Sequence, residues 1–254
     1  MAPTRRGWAA IAAAALVAAP LASFAADEFP LLNTNWSFNG PFGTFDRASA
    51  QRGWQIYDSV CSNCHALKEA YYRDLEGIGL TAPQVQAIAA GKTVPTLDDN
   101  GQPAERPALP SDHFKLPFPN DAAARAAMNG GLPPDQSVIE KAREGGADYI
   151  YSLLQGYSDP PQGVTVPEGT FYNKYFPGHM IKMPQPLTDD AVQYTDGTKA
   201  TLQQESKDIA TFLTYIANPE MEQRKRMGVK VILFLILLTG LVYVMKRKVW
   251  SSVH

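Results

Sequence analysis

The sequence predicts a mainly α fold: a helical domain with long Pro/Gly-rich insertions, followed by one C-terminal transmembrane helix. Two stretches carry apolar residues at i, i+3, i+4 spacing and a third is apolar at helical positions, which is the period of a helix face. The 20 prolines and 19 glycines fall largely between these stretches, as in Leu132-Pro133-Pro134-Asp135, and punctuate the chain into short pieces joined by loops. A long apolar run closes the chain, and no alternating run is long enough to propose a substantial sheet.

Residues 1–25 read as a cleaved signal peptide. Arg5 and Arg6 form a positive n-region, and Ser23-Phe24-Ala25 has the small-x-small pattern of a cleavage site, with the cut after Ala25 or Ala26. The apolar run between them, Gly7 to Leu21, is about 15 residues, short of the ~20 needed to span a bilayer. Residues 26–223 are then expected as a domain in the periplasm.

Within that domain the first helix is expected over Phe45 to Val60, with Asp46 as N-cap and Trp54, Tyr57, Val60 and Cys61 as its stripe. A second is expected over Ser137 to Leu154. A third covers Thr201 to Ala217, where Thr201 and Gln204 form a capping box and Leu202, Ile209, Phe212, Leu213 and Ile216 line one face. This third helix is the expected packing partner of the first, and Pro219 ends it.

Met227 to Met245 is a 19-residue run broken only by Lys230. As a helix it reaches about 28 Å at ~1.5 Å per residue, close to the ~30 Å hydrocarbon thickness. Lys230 can snorkel at one end, and Tyr243 and Trp250 suit the opposite interface. Residues 224–248 form the anchor with its basic flanks, and 249–254 a short cytoplasmic tail. Basic residues flank both ends almost equally, so the signal peptide sets the orientation: a single-pass protein of a bacterial inner membrane, C-terminus in the cytoplasm.

Charge is unevenly distributed. All 25 acidic residues lie between Asp27 and Glu222, with only 14 of the 23 lysines and arginines, a net of −11 for that span. Such a domain is unsuited to nucleic acid. It suits a partner with a basic face, since complementary fields steer encounter.

The two cysteines, Cys61 and Cys64, both belong to Cys61-Ser62-Asn63-Cys64-His65. C-x-x-C-H reads as a c-type haem attachment: thiols three residues apart on a tight turn reach two vinyl groups on one porphyrin edge, and the next residue can bind iron axially through its imidazole. A zinc site would need further paired Cys or His ligands. A thioredoxin-like pair would need a βαβ context, and a structural disulfide would leave His65 without a role. For the sixth coordination position the residues leave Met128, Met180, Met183, Met221, His113 and His179 open. A thioether there raises the iron potential and suits an electron carrier, a second histidine lowers it, and an open position would make a haem enzyme or gas sensor.

Further stretches narrow the reading. Gln51-Arg52-Gly53-Trp54-Gln55-Ile56-Tyr57 precedes the haem motif, and Asn129-Gly130-Gly131-Leu132-Pro133-Pro134-Asp135 follows it. Arg143-Glu144-Gly145-Gly146-Ala147-Asp148-Tyr149, Tyr175-Phe176-Pro177-Gly178 and Arg224-Lys225-Arg226-Met227-Gly228 complete the set. In this order, with a C-terminal anchor, the chain resembles cytochrome c1, the haem-bearing subunit of the cytochrome bc1 (ubiquinol–cytochrome c reductase) complex. The resemblance implies a mainly α, cytochrome c-like haem domain with one covalent haem c, held through Cys61 and Cys64 and ligated by His65 and Met183. It implies Arg143 against a haem propionate, contacts from Tyr57, Asn129 and Tyr149 at the haem edge, and Pro133 and Pro134 near the proximal histidine. Some bacterial members carry an additional cysteine pair that this chain lacks. The implied function is electron transport in a respiratory chain. The chain would be no enzyme by itself but a subunit that takes single electrons from the Rieske iron–sulfur protein, beside cytochrome b, and delivers them to a soluble or tethered cytochrome c.

Overall fold

The computed structural model describes residues 29–252; the expected signal peptide, residues 1–25, lies outside them. The fold is mainly helical. Helix α1, Arg47–Ser59, starts at Asp46, whose carboxylate accepts the Ser49 N–H at 3.1 Å. A 3₁₀ turn, Cys61–Asn63, follows directly, and a second, Tyr72–Ile78, leads into α2, Ala82–Ala90. The expected helix is shortened at both ends: Val60 is its C-cap, and Phe45 lies before the N-cap, where it is buried against Tyr215 edge-on at 5.4 Å.

Strands β1, Thr93–Leu97, and β2, Pro103–Pro107, form an antiparallel hairpin. Asp98 nucleates its turn by accepting the N–H groups of Asn100 and Gln102 at 2.8 Å each. Pro95, Pro103 and Pro107 remove donors from the hairpin's ladder, which discourages further strands from joining it. After the short α3, Asp121–Ala127, comes α4, Gly146–Gln155. The helix expected over Ser137 to Leu154 is therefore half that length. Gly145 and Gly146 adopt φ of 83° and 52°, left-handed values that an uninterrupted right-handed helix excludes, and residues 137–144 turn instead.

A two-residue hairpin, β3 (Phe171–Tyr172) with β4 (Met180–Ile181), precedes α5, Leu202–Ala217. Thr201 caps α5 by accepting the Gln204 N–H at 3.2 Å. The reciprocal half of the expected capping box is absent, because the Gln204 amide reaches forward to Asp208 at 3.0 Å. Nor is α5 a one-faced helix. From Glu205 to Ala217 every side chain except Lys207 is buried, since α1 packs on one side and α4 on another. Its small hydroxyls make this possible: Ser206, Thr211 and Thr214 donate to the carbonyls four residues back at 2.6, 2.9 and 2.8 Å, so no donor is orphaned.

The α1–α5 crossing depends on Gly53. A Cβ there would fall onto the Asp208 carbonyl and the Phe212 side chain, so only hydrogen lets the backbones approach this closely. An aromatic cluster fills the space below, with Trp54 5.3 Å from Phe114 and 5.9 Å from Phe212, and Tyr72 4.7 Å from Phe114. Such pairs add about 0.5–1.5 kcal/mol each beyond area burial.

At the other end of α5, Glu205 is fully buried; one carboxylate oxygen accepts the Val192 N–H at 2.9 Å and the other has no partner. Burial, with Asp189 and Asp190 nearby, pushes its carboxyl up to about 7. The folded chain therefore holds this proton at pH values where the unfolded chain has lost it. Stability is highest below the unfolded pKa and declines as pH rises toward 7. Glu205→Gln should flatten the loss of unfolding stability between pH 5 and 7, as read from denaturation midpoints. A variant whose midpoint follows pH as steeply as the wild type would refute this.

Helix α6, Met221–Trp250, begins three residues after α5 ends. Its first turns are tied to the domain. Glu222 accepts the Phe45 N–H at 2.9 Å and pairs with Arg47 at 2.9 Å. Lys225 donates to the carbonyls of Phe38 and Gly43 at 2.5 and 3.1 Å. From residue 231 to 250 every side chain is exposed, and from Val231 to Met245 this is a nearly unbroken apolar surface that water cannot accommodate and a bilayer can.

Candidate functional site: the Cys61–His65 turn

The C-terminus of α1 feeds straight into the motif. The Cys64 and His65 N–H groups both donate to the Cys61 carbonyl, at 3.1 and 2.8 Å, which winds the five residues into one tight turn. Cys61 and Cys64 form no disulfide, and both are half-buried. Burial and the neighbouring Cys64 push the Cys61 thiol up to about 12, so the surroundings favour an uncharged sulfur.

His65 is buried at 9% exposure. Its Nδ1 lies 2.8 Å from the Pro134 carbonyl oxygen. A carbonyl only accepts, so Nδ1 carries the proton and Nε2 keeps its lone pair free for a metal. Burial lowers the imidazole pKa and keeps the ring neutral, which is the ligating form. Tyr57, at 1% exposure, donates its hydroxyl to the His65 backbone carbonyl at 3.0 Å.

The segment carrying Pro134 is bound along the motif residue by residue. Gln136 N–H donates to the Ala66 carbonyl at 2.9 Å, Lys68 N–H to Asp135 at 2.9 Å, and Glu69 N–H to the Ser137 hydroxyl at 3.0 Å. These bonds bring the Pro134 carbonyl to the His65 ring. A shallow cavity of about 70 Å³ borders Cys64, with Leu116, Pro117, Phe118, Leu132 and Pro133 on its walls. Leu116 and Leu132 are 42% and 39% exposed, and the polar Lys68, Asn120, Asp121 and Asp135 share the same walls beside Cys64.

Met183 belongs to a third segment. Its carbonyl accepts the Tyr157 hydroxyl at 3.0 Å, and the preceding residue, Lys182, lies against Gly130 and Gly131, so the 129–135 loop meets both the His65 and the Met183 segments. Tyr149 is buried on α4: burial raises its phenol and the Arg143 guanidinium pulls it back. Arg143 itself is exposed, with its side chain donating to the adjacent Ala142 carbonyl at 3.0 Å. Asn129 is exposed in left-handed backbone, φ 48°, against Gly169.

The other candidates lie in several parts of the fold. His113 stacks on Tyr71 at 4.0 Å, and His179 sits between Phe29 and Tyr172 with its Nδ1 3.3 Å from the Asn173 carbonyl. Met180 is in β4 opposite Tyr172, and Met221 is buried at the start of α6. Met128 is the C-cap of α3. Sequence reasoning missed Tyr157, Asp135 and Ser137. The first had no local signal, while Asp135 and Ser137 follow the proline pair directly and are polar residues of the kind that fasten loops.

The match to known proteins runs along this whole framework. The family model for the Cytochrome C1 family covers residues 36–253. The chain belongs to the cytochrome c1 family. It is 42% identical to the cytochrome c1 of Rhodospirillum rubrum over 236 residues, 86% of this chain and 87% of that one. It is 48% identical over 220 residues to the mitochondrial cytochrome c1 heme protein of Saccharomyces cerevisiae, covering 86% and 71%. With the cytochrome b/c1 of Bradyrhizobium diazoefficiens it shares 48% identity over 242 residues, 86% of this chain but 35% of the relative, so the chain spans about a third of that protein. Membership of this family carries haem c as the cofactor, and the exposed apolar α6 fits a single-pass membrane protein.

Proposed function

We propose that the chain is the electron-transferring haem subunit of a quinol–cytochrome c oxidoreductase. It accepts single electrons from a Rieske iron–sulfur protein, next to a cytochrome b subunit, and hands them to a cytochrome c. The observation that carries this is the His65 imidazole, buried and neutral, with Nδ1 on Pro134 and Nε2 left over, on the same tight turn as Cys61 and Cys64.

The donor set suits one c-type haem. Cys61 and Cys64 would hold it by thioethers, which have no proton to lose and are at home where a thiolate is disfavoured. His65 Nε2 and the Met183 sulfur would ligate the iron, and Arg143, the exposed cation of the group, would meet a propionate through its paired N–H donors. Bound there, the haem supplies a reversible one-electron couple. The chain's own residues hold His65 in one tautomer through the Pro134 carbonyl and tie its backbone to Tyr57. Residues 1–25 are removed as a signal, 26–223 stand in the periplasm, 224–248 form the anchor in the inner membrane, and 249–254 reach the cytoplasm. The −11 ectodomain charge gives a basic cytochrome c a loose, salt-sensitive seat.

Haem staining after denaturing electrophoresis tests the attachment. The wild type should stain, and Cys61→Ala with Cys64→Ala should not; colourless wild-type chain would sink the assignment. Carbon monoxide added to the reduced protein should leave the spectrum unchanged, because Met183 occupies the sixth position. A prompt shift would instead favour a haem enzyme or sensor.

A further inference from the structure

Asp135 carries a charge that its hydrogen bonds do not cancel. Its Oδ2 accepts the Lys68 N–H at 2.9 Å and its Oδ1 the Ser137 N–H at 2.9 Å. Both partners are backbone amides, and no cation pairs with this carboxylate among the described residues. Amides carry no net charge, so the full negative unit is left over.

The chain puts that unit beside the site. Asp135 follows Pro134, whose carbonyl lies 2.8 Å from His65 Nδ1, and it shares the walls of the cavity bordered by Cys64. Burial dominates the His65 pKa and lowers it, while the Pro134 carbonyl and then the Asp135 charge oppose that shift. The ring and the carboxylate are therefore within electrostatic reach of each other. Neighbouring charges do not duplicate the effect. Asp58, next to Tyr57, is paired with Lys92 at 2.6 Å. Lys68, Glu69 and Asp121 are exposed, where salt screens them. Asp135 is half-buried among walls that include Phe118, Leu132 and Pro133, surroundings of lower dielectric in which a charge acts further.

We infer that Asp135 is the electrostatic counterweight to the axial methionine: its fixed negative charge favours the oxidised haem and lowers the midpoint potential. This rests on the proposed function, since it takes the haem to be held by Cys61, Cys64 and His65. The sign follows from charge alone. Taking up one electron removes one unit of positive charge at the iron, so a nearby carboxylate favours the form that still has it. The Met183 thioether pushes the couple the other way. A lower potential makes the chain a readier donor to its acceptor.

Redox titration of the visible spectrum of the haem-loaded, full-length chain tests this, with Asp135→Asn as the principal variant. Asparagine has nearly the same shape and keeps an acceptor oxygen, but it is neutral. A unit charge roughly 10 Å from a redox centre, through an effective dielectric of ~20, shifts a one-electron equilibrium about ten-fold, and ten-fold is ~59 mV for one electron. The midpoint should rise by that amount. Asp135→Ser supplies a second neutral acceptor suited to a turn and should rise likewise, whereas Asp135→Glu retains the charge and should titrate close to wild type. Ser137→Ala separates charge from fastening. It cuts the bond to the Glu69 N–H and leaves every charge in place, so its midpoint should not move. An unmoved or lowered midpoint in the neutral variants overturns the inference. An equal rise in Ser137→Ala does so too, because loosening of the loop would then be the cause. Loss of haem from both neutral variants would make Asp135 a folding residue and likewise overturn it. A wild type that fails to stain for haem defeats the functional assignment instead, so the two failures are told apart.

Discussion

Met183→Leu should lower the midpoint potential of the haem by a few tenths of a volt, within the ~0.8 V range over which axial ligands set haem potentials. Leucine keeps the volume and the apolar character of the side chain, so packing is little disturbed, but it offers no sulfur to the iron. A thioether opposite histidine raises the potential, and its loss reverses that. Met180→Leu is the matching control, because Met180 lies in β4 opposite Tyr172 and a change there should leave the titration in place. Redox titration of the visible spectrum separates the two. Equal curves for wild type and Met183→Leu, with a shift in Met180→Leu, would transfer the ligand role to Met180. The carbon monoxide response should change in parallel, inert in wild type and prompt in Met183→Leu.

Asp208→Ala should cost the fold about 3–5 kcal/mol, the range for removing one partner of a buried ion pair. Asp208 is fully buried on α5 and accepts from Arg52 Nε at 2.8 Å, Arg52 Nη2 at 3.0 Å, Ser49 at 2.6 Å and Gln204 at 3.0 Å. Its loss strands the Arg52 guanidinium, whose side chain is 11% exposed. Asp196 also pairs with Arg52, at 2.9 Å, but its side chain is 41% exposed. Asp196→Asn should therefore cost no more than ~1 kcal/mol. For a domain of this size the first change corresponds to roughly a 10 °C fall in the melting midpoint. Arg52→Met combined with Asp208→Leu should recover much of the loss, since apolar replacement of both partners is often neutral. Unfolding of the three variants by the same probe decides the matter, and equal midpoints for Asp208→Ala and Asp196→Asn would refute it.

Where structure depends on near neighbours, the sequence was readable. The Asp46 and Thr201 caps, the α1 stripe, the α5 core positions and the apolar length of α6 are all set within a few residues of themselves. The Gly145-Gly146 pair carried its own signal as a turn dipeptide, and extending a helix through it gave periodicity too much weight. Helix α2 had a signal as well, in Thr81-Ala82-Pro83-Gln84, where the Thr81 N–H and hydroxyl both donate to Gln84 at 2.8 Å. The hairpin of β1 and β2 has Asn100-Gly101 in its turn, but three strand prolines masked it. The site was legible in its chemistry and not in its assembly. The C-x-x-C-H residues announce themselves, whereas the bond from His65 to Pro134 spans 69 positions, and no local pattern encodes which loop closes over the imidazole. Resemblance rather than periodicity singled out Met183 and Arg143.

The short joint between α5 and α6 and the grip of Glu222 and Lys225 on residues 38–47 splice the root of the apolar helix into the domain. Flexible residues added to the Asn218–Glu220 joint would still be opposed by those ties, so the two parts gain independent movement only when the joint and the ties are loosened together.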